Sequence, residues 1–184
     1  WLIDENGSRK KMPGYSVKAI IEDRNGDLLI GTWSSGLMRF RRGSNTFYRY
    51  PRLNALNSAY SLFLDKHNHP WVGTWGYGVV RLDNPGNVRQ PEMHQYPYST
   101  NHFDIFYKIV HDPVTKTLWA CTREGACYLE EDMPNAEWKG FTSIGNNPLK
   151  FNNDIATDGK GNIWLCTQNN GILQVNTQPS LFKL

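Results

Sequence analysis

The sequence predicts an all-β protein made of consecutive four-stranded antiparallel sheets, and three observations carry that expectation. One motif recurs four times, at intervals of about 42 to 48 residues. Each copy divides into short apolar or aromatic runs separated by turn residues. No stretch of useful length shows the 3.6-residue apolar period of an amphipathic helix. Four antiparallel strands in a repeat of 40–50 residues is the arithmetic of a β-propeller blade.

The copies align residue by residue. Asp23 matches Asp65, Gly31-Thr32-Trp33 matches Gly73-Thr74-Trp75, Gly36 matches Gly78 and Arg39 matches Arg81, all without a gap. A third copy carries Asp112, Leu118-Trp119-Ala120-Cys121-Thr122 and Gly125. A fourth carries Asp158, Ile163-Trp164-Leu165-Cys166-Thr167 and Gly171. In each copy the first predicted strand is apolar and ends at the Asp, as in 17–23. A turn such as Asn25-Gly26 favours a hairpin. The second strand holds the Trp-x-x-Thr core, with Leu29 in the place of Trp in the first copy, a glycine turn leads to the third strand, and an aromatic run such as Phe47-Tyr48-Arg49-Tyr50 forms the fourth. Leu28-Leu29-Ile30 and Ile163-Trp164-Leu165 are apolar on both faces, as a strand between two neighbouring sheets must be; a half-solvated sheet would alternate. The position of Gly31 and Gly73 becomes Cys121 and Cys166, so a small residue is expected wherever sheets approach closely. The blades are expected over 17–58, 59–102, 103–151 and 152–184. Trp1, Asp4 and Gly7 keep the Trp–Thr–Gly spacing of the third copy, which allows residues 1–16 to be the tail of a preceding blade, but the span that follows is too short for a full blade and the segment stays open.

Composition agrees with this reading. Sixteen Gly and ten Pro favour turns over helices, and 7 Trp, 9 Tyr and 8 Phe supply the bulk of a core. A net charge of +3 without a basic cluster argues against a nucleic-acid binder. No apolar run is long enough to span a membrane, and this stretch shows no signal peptide. Three cysteines, without zinc or Cys-x-x-Cys spacing, exclude a disulfide-dense scaffold or a redox motif.

The pattern Asp-x-x-Gly-x-Leu/Ile-Trp-Ile/Val/Leu-Gly-Thr, followed by Gly and a charged strand, resembles the two-component regulator propeller repeat. It stands in 23–37, 65–79 and, more loosely, 158–172. The third copy departs from it: its first turn, Pro113-Val114-Thr115-Lys116-Thr117, has no glycine, and Cys121 replaces Gly. The resemblance implies the periplasmic sensor region of a hybrid two-component histidine kinase, commonly two seven-bladed propellers followed by a membrane helix, a kinase and a DNA-binding regulator. It implies an oligosaccharide ligand from polysaccharide breakdown, and control of glycan-utilisation genes. Partners would be the remaining sensor propellers and a homodimer mate. No cofactor, no nucleic-acid contact by this segment and no catalysis by it are implied, and membrane contact comes only through the parent protein. A seven-bladed ring needs roughly 300 residues at this repeat length. The chain is therefore expected to be part of a larger propeller, and four blades alone would leave two apolar sheet faces open.

Candidate ligand-binding residues lie in the turns between second and third strands, which share a rim with the connections between blades. They are Trp33, Trp75, Tyr77, Arg123, Glu124, Gln168 and Asn169. Aromatic faces suit pyranose rings, amides suit hydroxyls, and Arg suits a uronate or sulfate. Two readings stand for Trp33 and Trp75, ligand contact or packing against the next blade. Asn54, Asn57, Asn101 and His102 in the connections are weaker candidates. Trp71, Trp119 and Trp164 read as core between blades, and the four repeat Asp residues as turn formers. The 23–27 turn superficially suggests a calcium loop but lacks the twelve residues and terminal Glu of one. His67 and His69 have no third metal ligand in the sequence. Cys121 and Cys127 flank one hairpin, as buried thiols or as a disulfide. Glu130-Glu131-Asp132 reads as a solvated acidic loop. The rival functions are a protein-binding scaffold and a propeller lyase or glycosidase, the latter using Asp104, Glu124 and His102.

Overall fold

A computed structural model describes residues 2–3, 6–11, 16–51, 58–96, 105–130, 136–150 and 152–178. A two-stranded hairpin, β1 (Leu2–Ile3) with β2 (Arg9–Lys10), precedes the first sheet. That sheet is a meander of β3 (Val17–Glu22), β4 (Leu28–Thr32), β5 (Gly36–Arg41) and β6 (Thr46–Arg49). The second repeats the order with β7 (Ala59–Leu64), β8 (Pro70–Thr74), β9 (Val79–Leu82) and β10 (Met93–Tyr96). The third uses β11 (Phe106–Asp112), β12 (Thr117–Thr122), β13 (Ala126–Glu130) and β14 (Lys139–Phe141). A small hairpin, β15 (Ser143–Ile144) with β16 (Asn147–Pro148), follows it. The fourth sheet holds three described strands, β17 (Asp154–Thr157), β18 (Asn162–Cys166) and β19 (Ile172–Asn176). The first strands stand side by side, β3 against β7, β7 against β11 and β11 against β17. The chain is thus an all-β, partial β-propeller.

The second strand of each sheet explains why the sheets stack. Its side chains alternate between two neighbours. In β8, Val72 joins Leu29 and Leu37 of the first sheet, while Trp71 joins Phe106, Ile109 and Leu118 of the third. In β12, Ala120 faces the second sheet, and Trp119 and Cys121 meet Ile155, Ile163 and Leu165 of the fourth. Trp71 and Trp119 are buried in these seams as expected. Trp164 is not: it is 38% exposed, with Ile172 at 69%, because no described sheet covers that face of the fourth blade. Ile20 and Val17 are similarly open on the first sheet, at 60% and 40%.

The small-residue position has a measurable cause. A Cβ on Gly31 would lie 2.7 Å from the carbonyl oxygen of Ala59 in the neighbouring sheet. One on Gly73 would lie 2.1 Å from Ser61 Oγ and 2.9 Å from Cβ of Phe106. Cys121 fits the same position in the third sheet, fully buried, and burial pushes its thiol up to about 12. Cys121 pairs with Ala126 and Cys127 with Ala120, so the two thiols point to opposite faces and enter different seams. Neither is in a disulfide, and alternation across the strand keeps them from bonding to each other.

The repeat Asp residues organise the hairpins between first and second strands. Asp23 Oδ1 accepts the N–H groups of Asn25 (2.8 Å) and Asp27 (3.0 Å). Asp65 Oδ1 accepts those of His67 and His69, both at 2.8 Å, and its Oδ2 accepts the Trp71 indole at 3.1 Å. Asp158 does the same for Lys160 and Asn162. In the first sheet the buried Arg39 engages both carboxylates of the 23–27 turn. It bonds Asp23 and reaches Asp27 at 3.0 Å, and it donates to the Pro85 carbonyl of the second blade at 2.8 Å. Tyr50 donates to the same carbonyl at 2.5 Å. Between the third and fourth blades, Thr177 donates to Asp112 Oδ2 at 2.9 Å. Glu130 pairs with Lys139 at 2.7 Å; Glu131 and Asp132 lie outside the described residues.

Two outcomes follow from these contacts. Gly73→Ala is expected to lower stability by about 1–3 kcal/mol, as overpacking does; Gly43→Ala, whose Cβ would meet open space, is expected to stay within about 0.5 kcal/mol in the same urea titration. The second concerns acid. Burial raises the Asp65 carboxyl, but the N–H of His69, the Trp71 indole and the N–H of His67 outweigh it and hold the group below the usual carboxylate range. Burial is likewise outweighed at Asp112 by the hydroxyls of Thr115 and Thr177. A depressed folded pKa stabilises fully above the unfolded value, about 3.9, and that contribution is lost as pH falls through the lower folded value. Thermal midpoints are therefore expected to fall below about pH 4, less steeply in Asp65→Asn.

Candidate functional site

The candidate residues sit where second strands end, and a repeated clamp places them. Thr32, Thr74, Thr122 and Thr167 each donate their hydroxyl to the carbonyl of the glycine that opens the next strand. The distances are 2.7, 2.7, 3.1 and 3.0 Å. Gly36, Gly78 and Gly171 hold φ of 81°, 72° and 69°, which glycine adopts without strain. The residue after each Thr is thereby fixed at the rim. These residues are Trp33, Trp75, Arg123 and Gln168, so Arg123 and Gln168 occupy the same position as the two tryptophans.

The first strands contribute a second row. In three sheets the register slips by one residue at the strand start, between Val17 and Ala19, Ala59 and Ser61, and Phe106 and Lys108. The extra residues are Lys18, Tyr60 and Tyr107. A bulge lifts its residue out of the ladder and re-aims the side chain. This row was not among the candidates legible in the sequence. Its signal is periodic all the same: Lys18, Tyr60 and Tyr107 each lie five residues before a repeat Asp, as does the exposed Asn153.

Together the two rows build an aromatic ledge across three blades. Trp33 meets Trp75 edge-on, with ring centroids 4.5 Å apart and planes at 86°. Tyr60 lies 6.2 Å from Trp33, 5.8 Å from Trp75 and 5.7 Å from Tyr107. All four rings are half-buried. Trp33 and Trp75 thus pack on each other across a blade seam, and each keeps part of its surface open. Lys18 Nζ stands 5.8 Å from the Trp33 ring and 5.3 Å from the Tyr60 ring. At the other end Arg123 pairs with Glu124 at 3.2 Å, both partly exposed. Burial, then the neighbouring Tyr60, raises the Tyr107 hydroxyl, and Arg123 opposes the rise, so Tyr107 is a neutral donor at ordinary pH.

The remaining candidates stand apart from the ledge contacts. Tyr77 is 43% exposed, held by its N–H to Thr74 Oγ1 (3.1 Å) and its carbonyl to Gln95 (3.0 Å). Gln168 and Asn169 are exposed on the fourth blade, and no described contact joins them to the aromatic rings. Asn54, Asn57, Asn101, His102 and Asp104 lie outside the described residues. His69 turns its Nδ1 to Asp65 at 3.3 Å. Among the described residues no three His, Cys, Asp or Glu side chains group as metal ligands. At the opposite end of the first strands, a cleft of about 710 Å³ lies among Arg24, Phe63, Asp65, His111 and Asp158. The Phe63 and His111 rings stack there at 6.2 Å.

Residues 11–34 match the family model described as two component regulator propeller. The fold is similar to the extracellular domain of the hybrid two component system BT3049 from B. thetaiotaomicron, with 20% identity and a TM-score of 0.73. It is also similar to that of the hybrid two component system BT4673 from the same organism, with 22% identity and a TM-score of 0.67. The matches cover 91% and 89% of this chain, and the chain spans 22% of each of those structures. Virginiamycin B lyase from Staphylococcus aureus is similar at 12% identity and a TM-score of 0.65, over 95% of this chain and 61% of that one. At such identities the likeness is one of fold. No curated protein matched the chain.

The rim and the seam tryptophans separate experimentally. Trp71→Ala is expected to cost about 3–5 kcal/mol, because it empties a closed seam. Trp33→Ala is expected to cost about 1 kcal/mol, the edge-to-face contact and little more. Urea unfolding of the two variants checks the difference.

Proposed function

We propose that this chain, which carries a two component regulator propeller repeat, is the ligand-binding part of an extracytoplasmic sensor and takes an oligosaccharide on the Trp33–Tyr60–Trp75–Tyr107 ledge. The observation that carries the reading is the ledge itself: four half-open aromatic rings from three blades, held by strand bulges and Thr clamps rather than by mobile loops. Aromatic faces pack on the C–H faces of sugars, and tyrosine hydroxyls and exposed amides serve sugar hydroxyls. The similar propellers in extracellular domains of hybrid two component systems support the sensory role and the location outside the cytoplasm. The segment needs no acid–base pair for this work, and Glu124 is engaged with Arg123.

A ligand on this ledge touches blades one, two and three together. It thereby favours the arrangement in which Trp33, Tyr60, Trp75 and Tyr107 are adjacent. Only such differential affinity moves an equilibrium between packings and so signals to a kinase domain. The periplasmic address and glycan-gene regulation belong to this same reading.

The test is titration with a panel of oligosaccharides, read by tryptophan fluorescence and calorimetry. Saturable binding that weakens about tenfold in Trp75→Ala is the expected result. No heat and no fluorescence change across neutral and acidic panels would sink the saccharide reading.

A further inference from the structure

We infer that the ledge selects an anionic saccharide, with Lys18 and Arg123 as the two cations that read its carboxylate or sulfate groups. The inference rests on the saccharide reading above and narrows its ligand class. Lys18 and Arg123 come from different rows and different blades: Lys18 from the bulge of β3, Arg123 from the end of β12. Lys18 stands by Trp33 and Tyr60, and Arg123 by Tyr107. The Tyr60 and Tyr107 ring centroids are 5.7 Å apart.

Among the described residues the charge balance of the ledge is positive: Lys18 lies over Trp33 and Tyr60, and Arg123 and Glu124 act electrostatically on Tyr107. Among the described residues Lys18 has no carboxylate partner; it lies over Trp33 and Tyr60. Arg123 presents five donors, of which the Glu124 contact through Nε uses one. An exposed ammonium over aromatic rings and a guanidinium with open donors are both suited to an acidic group delivered by a ring stacked between them. A neutral sugar would use the rings, leave Lys18 without a counter-charge and give the open donors of Arg123 only neutral acceptors. Structural economy does not call for either residue: other copies of the same repeat positions hold Tyr60, Trp75 and Gln168, so the fold tolerates neutral side chains there.

The test uses matched pairs of oligosaccharides: uronate-containing chains with their carboxyl-reduced counterparts, and sulfated chains with their desulfated counterparts. They are titrated by calorimetry against the chain, expressed with whatever further blades its reading frame encodes. The expected result is at least one acidic member binding about tenfold tighter than its neutral partner, as a charge-assisted hydrogen bond provides. The advantage should shrink as salt rises. Lys18→Gln and Arg123→Gln should each remove most of it, so that the acidic and neutral members of the pair bind each variant nearly alike. Whichever pair shows the preference identifies carboxylate or sulfate as the group recognised. Equal affinity within every pair, or a preference that survives both substitutions, overturns the inference while the saccharide reading stands. Absence of binding by any member, acidic or neutral, overturns both.

Discussion

The close approach of neighbouring sheets along their second strands is the constraint on which the rest of the molecule depends. At Gly31 and Gly73 the adjacent sheet leaves no room for a Cβ, and at Cys121 it leaves room for little more. At that separation a strand such as β8 presents every side chain to one apolar neighbour or the other. Val72 goes one way and Trp71 the other, and neither meets water. The repeat is therefore not four similar sheets placed in a row. Each sheet supplies half of two seams, which is why the blade at the end of the described chain shows Trp164 and Ile172 to solvent.

The same closeness generates the ledge. Sheets this near bring the rim residue of one blade into ring contact with that of the next, as Trp33 and Trp75 show. The Thr–Gly clamp fixes where each second strand stops, and the bulge at the start of each first strand turns an additional side chain to the same place. Polar ties between blades hold the arrangement from the other end. Arg39 and Tyr50 both reach the Pro85 carbonyl, and Thr177 reaches Asp112. Buried polar groups need such partners, and here the partners lie in the next blade. Order at the rim is thus inherited from the seams. Rigid aromatics then cost a ligand little conformational entropy to engage.

Much of this was legible before any coordinates. The recurrence of Asp, Trp-x-x-Thr and Gly identified the strands, the turns and the close-packed position, because the Thr–Gly clamp forms in all four copies. The Asp residues accept turn N–H groups in the first, second and fourth copies by an identical pattern. Trp33, Trp75 and Arg123 were legible as rim residues from their place after the conserved-in-repeat Thr. Lys18, Tyr60 and Tyr107 were not, although they recur five residues before each Asp. A strand bulge leaves no composition signal, and alternation counted through it assigns the residue to the wrong face. The separation of Cys121 from Cys127 was hidden for a related reason: hairpin proximity is visible in sequence, while the face to which each thiol points depends on register.

The sequence by itself determined the all-β blade, its turns, its small-residue position and the array. Those follow from local chemistry repeated at a fixed spacing: which residues bend, which bury and which cap. Only the tertiary structure decided which neighbours share a seam, that Trp164 stands open while Trp71 and Trp119 are closed, and that four rings and two cations from three blades meet on one ledge. Contacts between blades join residues some 42 to 48 positions apart. They are fixed by sheet separation and bulge geometry, quantities that no single stretch of residues encodes.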